Sequence, residues 1–213
     1  MKALDICSQS RWQNLCDCLD ISDDGKIFDK LVKAHAEPQR AYHTLDHIAA
    51  CLRHLDGVKS KTVRPQEIEM ALWFHDAVYQ PFSATNEEDS AQWAVDWLTE
   101  RGTAEPVIDR IKDHILATKA HDAPKDLDRR YMLDIDLSIL GTPPDIYDEF
   151  EDNIRREYKR VPRIIFRKKR KAILKKFLSR PKIYMTRHFH NACLLYTSPS
   201  PRDQRGSRMP SSA

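Results

Sequence analysis

The histidines and acids that could do chemistry in this chain fall in four short segments. In Tyr42-His43-Thr44-Leu45-Asp46-His47-Ile48, His43 and His47 stand one helical turn apart, and His54 lies two turns beyond His47. An HExxH zinc-protease site is excluded, because Thr44 occupies the position of the catalytic Glu. In Trp73-Phe74-His75-Asp76, His75 shares a helical face with Ile68, Ala71 and Leu72 and so points toward a core. His114 and His121 share a third face at two-turn spacing. In the fourth segment, Leu133 to Leu140, Asp136 sits on a face with Met132, Leu133, Ile139 and Leu140. Asp134 sits with Tyr131, Leu137 and Ser138. A carboxylate aimed into a core must be paired or bind a cation, since an isolated buried charge is too costly. This favours Asp136 as the functional acid, with Asp134 the alternative.

Taken together, His47, His75, Asp76 and Asp136 offer two imidazoles and two carboxylates from three inward helix faces. Mixed nitrogen and oxygen ligation suits Mn²⁺, Fe²⁺, Co²⁺, Ni²⁺ or Zn²⁺ better than Mg²⁺. On a six-coordinate ion these four leave room for water and a substrate oxygen. Such an ion lowers the pKa of its water and polarises a phosphoryl oxygen.

The elements that must position these residues read as helices throughout. Ile48, Cys51, Leu52 and Leu55 follow i, i+3, i+4, i+7 spacing. A second helix opens at Pro65 and is expected to run to about Tyr79. Thr85 and Glu88 form a capping-box pattern, and Gly102 suits the end of that helix. Further helices are expected over roughly 104–119, 126–140, 144–160 and 164–179. The expectation is an all-α, single-domain bundle.

The composition agrees. Of 213 residues 41% are hydrophobic and 31% charged, enough for a sizeable core and balanced enough to exclude global disorder. No apolar run reaches membrane-spanning length, and the first twenty residues lack the apolar stretch of a signal peptide. Five scattered cysteines without a C-x-x-C pair read as thiols of a reducing compartment, so a cytoplasmic location and no membrane partner are expected. The net charge of +3 hides an asymmetry: residues 155–176 hold twelve Lys/Arg and one acid, Glu157, after an acidic run from Asp145 to Asp152. Two solvated faces that partly neutralise each other account for this; a phosphate-attracting surface is the sharper reading.

The order H…HD…D resembles the HD-domain superfamily of metal-dependent phosphohydrolases. More narrowly, the chain is similar to a bacterial group described as predicted metal-dependent HD phosphohydrolases. The matching pieces are YHTLDHI, ALWFHDAVY, NEEDSA, ILATKAH, LDIDLSILG, IRREY and KFLSRPKIY, in order across about residues 10 to 187. The resemblance implies an HD-type helical bundle over 1–190. It implies an enzyme that hydrolyses phosphate esters or anhydrides of a nucleotide-like small molecule through a metal-bound hydroxide.

By the same resemblance His47, His75, Asp76 and Asp136 hold the metal, and His75, Asp76 and Glu87 serve catalysis. His43, His114, Lys119, His121, Arg155 and Arg170 are candidates for contact with the substrate phosphate. The alternative is a non-catalytic module that binds a nucleotide or nucleic acid through residues 155–176; without a recognised nucleic-acid motif it ranks second. Where the group carries a Glu and an Ala-Arg pair, RHFHNACLLYTSP stands instead, which predicts an incomplete closing helix. Residues 191–213 contain LLYTSPSPRD, similar to translated adaptor or vector sequence, and are expected to be a non-native, disordered tail.

Overall fold

A computed structural model of the chain describes residues 3–23, 25–120 and 124–191. They form α1 (Ala3–Ile6), α2 (Gln9–Cys18), α3 (Lys26–His35), α4 (Leu45–Asp56), α5 (Pro65–Phe74), α6 (Asn86–Glu100), α7 (Glu105–Ala120), α8 (Leu127–Asp136), α9 (Pro144–Glu157) and α10 (Arg163–Leu178). Short 3₁₀ turns cover Lys59–Lys61 and Leu137–Gly141, and a closing helical turn covers 187–191. No strand occurs among the described residues, and none of their helices is long and apolar enough to cross a membrane. Apart from Asn191, which ends the closing turn, the expected tail lies outside the described residues.

The core forms around α5. Every residue from Glu67 to Phe74 is buried. A helix apolar on nearly all sides must be surrounded, and α2, α4, α6, α7 and α8 pack around this one. Trp12 of α2 sits in its aromatic centre, with ring centroids 5.6 to 6.5 Å from Phe28, Trp73, Phe74 and Trp97.

Three differences from the expected elements bear on the site. First, α5 ends at Phe74, not near Tyr79. The groups that a longer helix would pair are engaged elsewhere: Leu72 O accepts from His75 Nδ1 at 2.9 Å, Trp73 O from His35 Nε2 at 3.3 Å, and Val78 N donates to Ser90 Oγ at 3.0 Å. The Arg40 guanidinium then holds the turn, Nη1 donating to Asp76 O at 2.6 Å and Nη2 to Ala77 O at 3.0 Å. His75 and Asp76 therefore stand on a tight turn at the helix end. Second, the expected 126–140 helix breaks at Asp136 into a 3₁₀ turn, where Tyr184 Oη donates to Leu137 O at 3.0 Å. Third, the capping box at Thr85 does not form. The Thr85 hydroxyl bonds to Asp89 at 2.9 Å, while Glu88 is drawn away by the Lys119 ammonium. Gly102 does end α6, with φ of 70° in the left-handed region that glycine tolerates.

Two acids of α8 fix that helix to its neighbours. Asp128 accepts from Val63 N and Arg64 N, both at 2.7 Å, and so holds the segment that leads into α5. Asp134 accepts from Met185 N at 2.8 Å, Thr186 N at 2.7 Å and Thr186 Oγ1 at 2.6 Å, holding the closing turn against α8.

Candidate metal centre

Four side chains converge where the C-terminal end of α5 meets α4 and α8. Thr44 caps α4, its hydroxyl accepting from Asp46 N at 3.3 Å, and one turn later His47 points inward and is buried. His75, 1% exposed, follows the last residue of α5. Its Nδ1 lies 2.9 Å from Leu72 O. A carbonyl can only accept, so Nδ1 carries a proton, and it is at Nε2 that the ring gains or releases its second proton and, once released, presents a lone pair.

The Nε2 atoms of His47 and His75 face each other at 3.2 Å. Asp76 Oδ2 stands 3.0 Å from His75 Nε2 and 3.6 Å from His47 Nε2. Asp136 Oδ1 stands 3.4 Å from His47 Nε2 and 3.6 Å from His75 Nε2. His47, His75 and Asp136 form the closed set, with all donor atoms within 4.8 Å of one another, and Asp76 meets both imidazoles from one side.

This donor set fits a divalent ion. Bonds of about 2.1 Å give ligand–ligand edges of about 3.0 Å in an octahedron and about 3.4 Å in a tetrahedron, close to the five separations found. Two imidazole nitrogens at 3.2 Å cannot both carry protons along the line between them, so at least one offers a lone pair. The electrostatics run the same way. Burial works against a charged His75, but Asp76 and Asp136 outweigh it and hold its pKa well above the ordinary value. Burial likewise raises Asp76, but His75, His43 and His47 pull it far below the carboxylate range. The pocket is thus organised to receive positive charge.

His43, Tyr42 and Glu157 form the next wall. Glu157 Oε1 accepts from the backbone N–H groups of Ala41, Tyr42 and His43 at 2.8, 2.8 and 3.0 Å. Its Oε2 accepts from Tyr79 Oη at 2.7 Å and meets His43 Nδ1 at 2.8 Å. Burial would raise this carboxyl, yet His43 and the backbone donors hold its pKa at about 2. His43 stacks on Tyr79 with ring centroids 4.2 Å apart. Burial lowers its pKa, but Asp76 and then Glu157 prevail and raise it. Tyr42 packs against His47 at 4.9 Å and Phe150 at 4.5 Å; burial, with the charges of Asp136 and Asp76, keeps its hydroxyl neutral. Arg40 joins this wall to the turn after α5, donating to His43 O at 3.0 Å as well as to Asp76 O.

The other residues singled out from the sequence lie elsewhere. Asp134 is spent on the closing turn, which leaves Asp136 as the acid of α8 in the cluster. The reason differs from the one expected, because Asp134 is the more buried of the two, fully enclosed and satisfied by its three donors. His114 is buried in a small cavity with Arg64, Glu67, Arg110, Asp126, Asp128 and Arg129, by the start of α5. His121 lies outside the described residues. Glu87 is half-buried in the first turn of α6, where its charge is felt by Lys119 and Tyr158.

Lys119 is exposed and donates to Ala84 O at 2.7 Å. Arg155 donates to Tyr158 O at 2.6 Å and Val161 O at 3.1 Å, with its guanidinium over Phe166, so it stitches the α9–α10 turn. Arg170 pairs with Glu151 and lies over Phe150, one ring away from Tyr42. Sequence reasoning missed Arg40, Tyr42, Tyr79 and Glu157 as members of the site. Glu157 did leave a trace: with Phe150 and Ile154 it completes the buried i, i+4, i+7 stripe of α9, an acid on an apolar face.

Compared with family models, curated proteins and solved structures, the chain matches none.

Proposed function

We propose that this chain is a metal-dependent phosphohydrolase of the HD type, acting on a small phosphorylated, nucleotide-like compound, with His47, His75, Asp76 and Asp136 holding a divalent cation. The observation that carries this reading is the convergence of two imidazole Nε2 atoms 3.2 Å apart with two carboxylate oxygens, each 3.0 to 3.6 Å from both imidazoles, beside the end of α5. The mixed donors favour Mn²⁺, Fe²⁺, Co²⁺, Ni²⁺ or Zn²⁺ over Mg²⁺. A divalent ion held there would lower the pKa of bound water and polarise a phosphoryl oxygen.

The chain's own residues have distinct tasks in this reading. The Leu72 carbonyl fixes the His75 tautomer so that Nε2 is presented for ligation. Glu157 and the Tyr79 stack hold His43, whose raised pKa keeps an N–H ready to contact a phosphate oxygen or to protonate the departing one. Asp76, Asp136 and Glu157 repel a phosphate dianion, and a cationic His43 offsets part of that repulsion. Arg40 holds the His43 and Asp76 segments in fixed relation.

Calorimetric titration with Mn²⁺ and Zn²⁺, beside phosphate release from a panel of phosphomonoesters and nucleotides, tests the reading. About one ion per chain is expected, with release that depends on the ion, and both lost in Asp136→Asn. A folded chain that binds no ion overturns the proposal, as does an Asp136→Asn variant that binds it as tightly as the parent.

A further inference from the structure

Two outward stripes of opposite charge lie on consecutive helices, and they have the same spacing. On α9, Asp145, Asp148 and Asp152 are exposed at i, i+3, i+7; on α10, Lys168, Lys171 and Lys175 are exposed at i, i+3, i+7. Each stripe spans about 10 Å at about 1.5 Å per residue. Among the described residues none of the six has a salt-bridge partner, and the ion pair joining the two helices is Arg170 with Glu151. The stripes cannot meet within one chain. The inner face of α9 is Phe150, Ile154 and Glu157, that of α10 is the half-buried row Phe166, Arg170, Leu174 and Phe177, and both stripes lie on the opposite sides.

The lysine stripe also has apolar ends. Ile164 and Leu178 continue it at helical spacing in both directions and are 84% and 75% exposed. No residue of α10 is buried, so this helix shows water a row that reads Ile-Lys-Lys-Lys-Leu. A purely electrostatic partner gives those two aliphatic ends nothing to do. A protein surface uses both, with apolar contact supplying affinity and charge supplying register.

We propose that this face binds a second copy of the chain, α9 of each protomer lying against α10 of the other about a two-fold axis. Such an interface is self-complementary, because each protomer contributes one acidic and one basic stripe and receives the reciprocal pair. The proposal is independent of the metal reading, since none of these six residues lies in the candidate centre.

Sedimentation velocity of the full chain, with circular dichroism to confirm folding, tests it. The parent is expected to be a dimer at low salt whose dissociation constant rises at least about tenfold toward molar salt. Asp145→Lys/Asp148→Lys/Asp152→Lys and, separately, Lys168→Glu/Lys171→Glu/Lys175→Glu should each be monomers, since each meets itself with like charges. An equimolar mixture of the two variants should form a heterodimer, with both stripe pairs restored. A parent that stays monomeric at every concentration overturns the proposal, and so does a dimer indifferent to either set of reversals. A monomer that binds anionic vesicles or duplex DNA through the α10 lysines also overturns it and assigns the face to a polyanion.

Discussion

At the first turn of α5, Glu67 receives Arg110 through two bonds of 2.7 Å, and Asp128 receives the backbone N–H groups of Val63 and Arg64. His114 lines the same small cavity as both acids. At the other end of the same helix, His47, His75, Asp76 and Asp136 point their donor atoms at one another. Both clusters are buried or half-buried and both are built from histidine and acid. In the first, both acids have their own donors and need no further species. In the second, lone pairs and negative charge face inward on a common point. Composition alone does not separate a structural polar cluster from a candidate ion site; the direction of the donor atoms does.

The sharpest way to break that contrast is to remove one acid from each end. Asp136→Asn should weaken Mn²⁺ or Zn²⁺ binding by at least about 100-fold, and phosphate release should fall with it. Equal binding in parent and variant would return the Asp136 cluster to the same structural class as the Glu67 cluster.

Glu157 mixes the two patterns, being fully paired like the first cluster and adjacent to the second. Its carboxyl ordinarily titrates at 4.5 and here at about 2. A depressed carboxylate contributes stability that is complete above about pH 4.5 and is lost as pH falls toward 2. The size is about 3 kcal/mol. Glu157→Gln should therefore cost about that much in urea unfolding at neutral pH, and the gap from the parent should fall below about half at roughly pH 3 and close only near pH 2 and below. A gap of the same size at both pH values would mean that the loss comes from backbone geometry and not from charge.

A smaller effect is expected at the structural end. Asp128→Asn leaves one of two backbone donors without an acceptor, for about 2 kcal/mol of stability. Metal affinity per folded chain should stay unchanged in calorimetry. A parallel loss of metal binding would show that the two ends of α5 are coupled.

Much of this was legible in the sequence because helices have a strict period. The inward faces of His47 and His75 follow from spacing alone, as do the helix starting at Pro65 and the stop at Gly102. What spacing could not supply was competition for hydrogen bonds between distant segments. His35 engages the Trp73 carbonyl from thirty-eight positions away and Ser90 takes the Val78 N–H from twelve, so α5 stops early, and Lys119 removes Glu88 from its capping box. Asp134 and Asp136 show the same limit. Apolar neighbours favoured Asp136, yet Asp134 is the deeper residue, enclosed because Met185 and Thr186 reach it from fifty-one and fifty-two positions on. Burial of an acid marks a partner, and whether that partner is a backbone N–H or an ion depends on contacts that no local pattern contains.

His114 gives the finest test of the contrast. Its ring is 3% exposed, and Nδ1 is enclosed with no hydrogen-bond partner among the described residues. Burial lowers its pKa, so the ring is carried neutral. A buried polar atom without a partner costs stability, and replacing it with an apolar group of similar size removes that cost while losing little packing. His114→Leu is therefore expected to change unfolding free energy by less than about 1 kcal/mol, in either direction, and to leave metal binding and phosphate release at parental values. The cavity beside it also holds Arg64, Arg110 and Arg129, and a phosphate-contacting role would need His114 to act with them. A variant that folds normally but raises KM for every phosphorylated substrate would establish that role and move the first end of α5 into the site. Unchanged kinetics would leave His114 as a core residue whose ring fills space beside two paired acids.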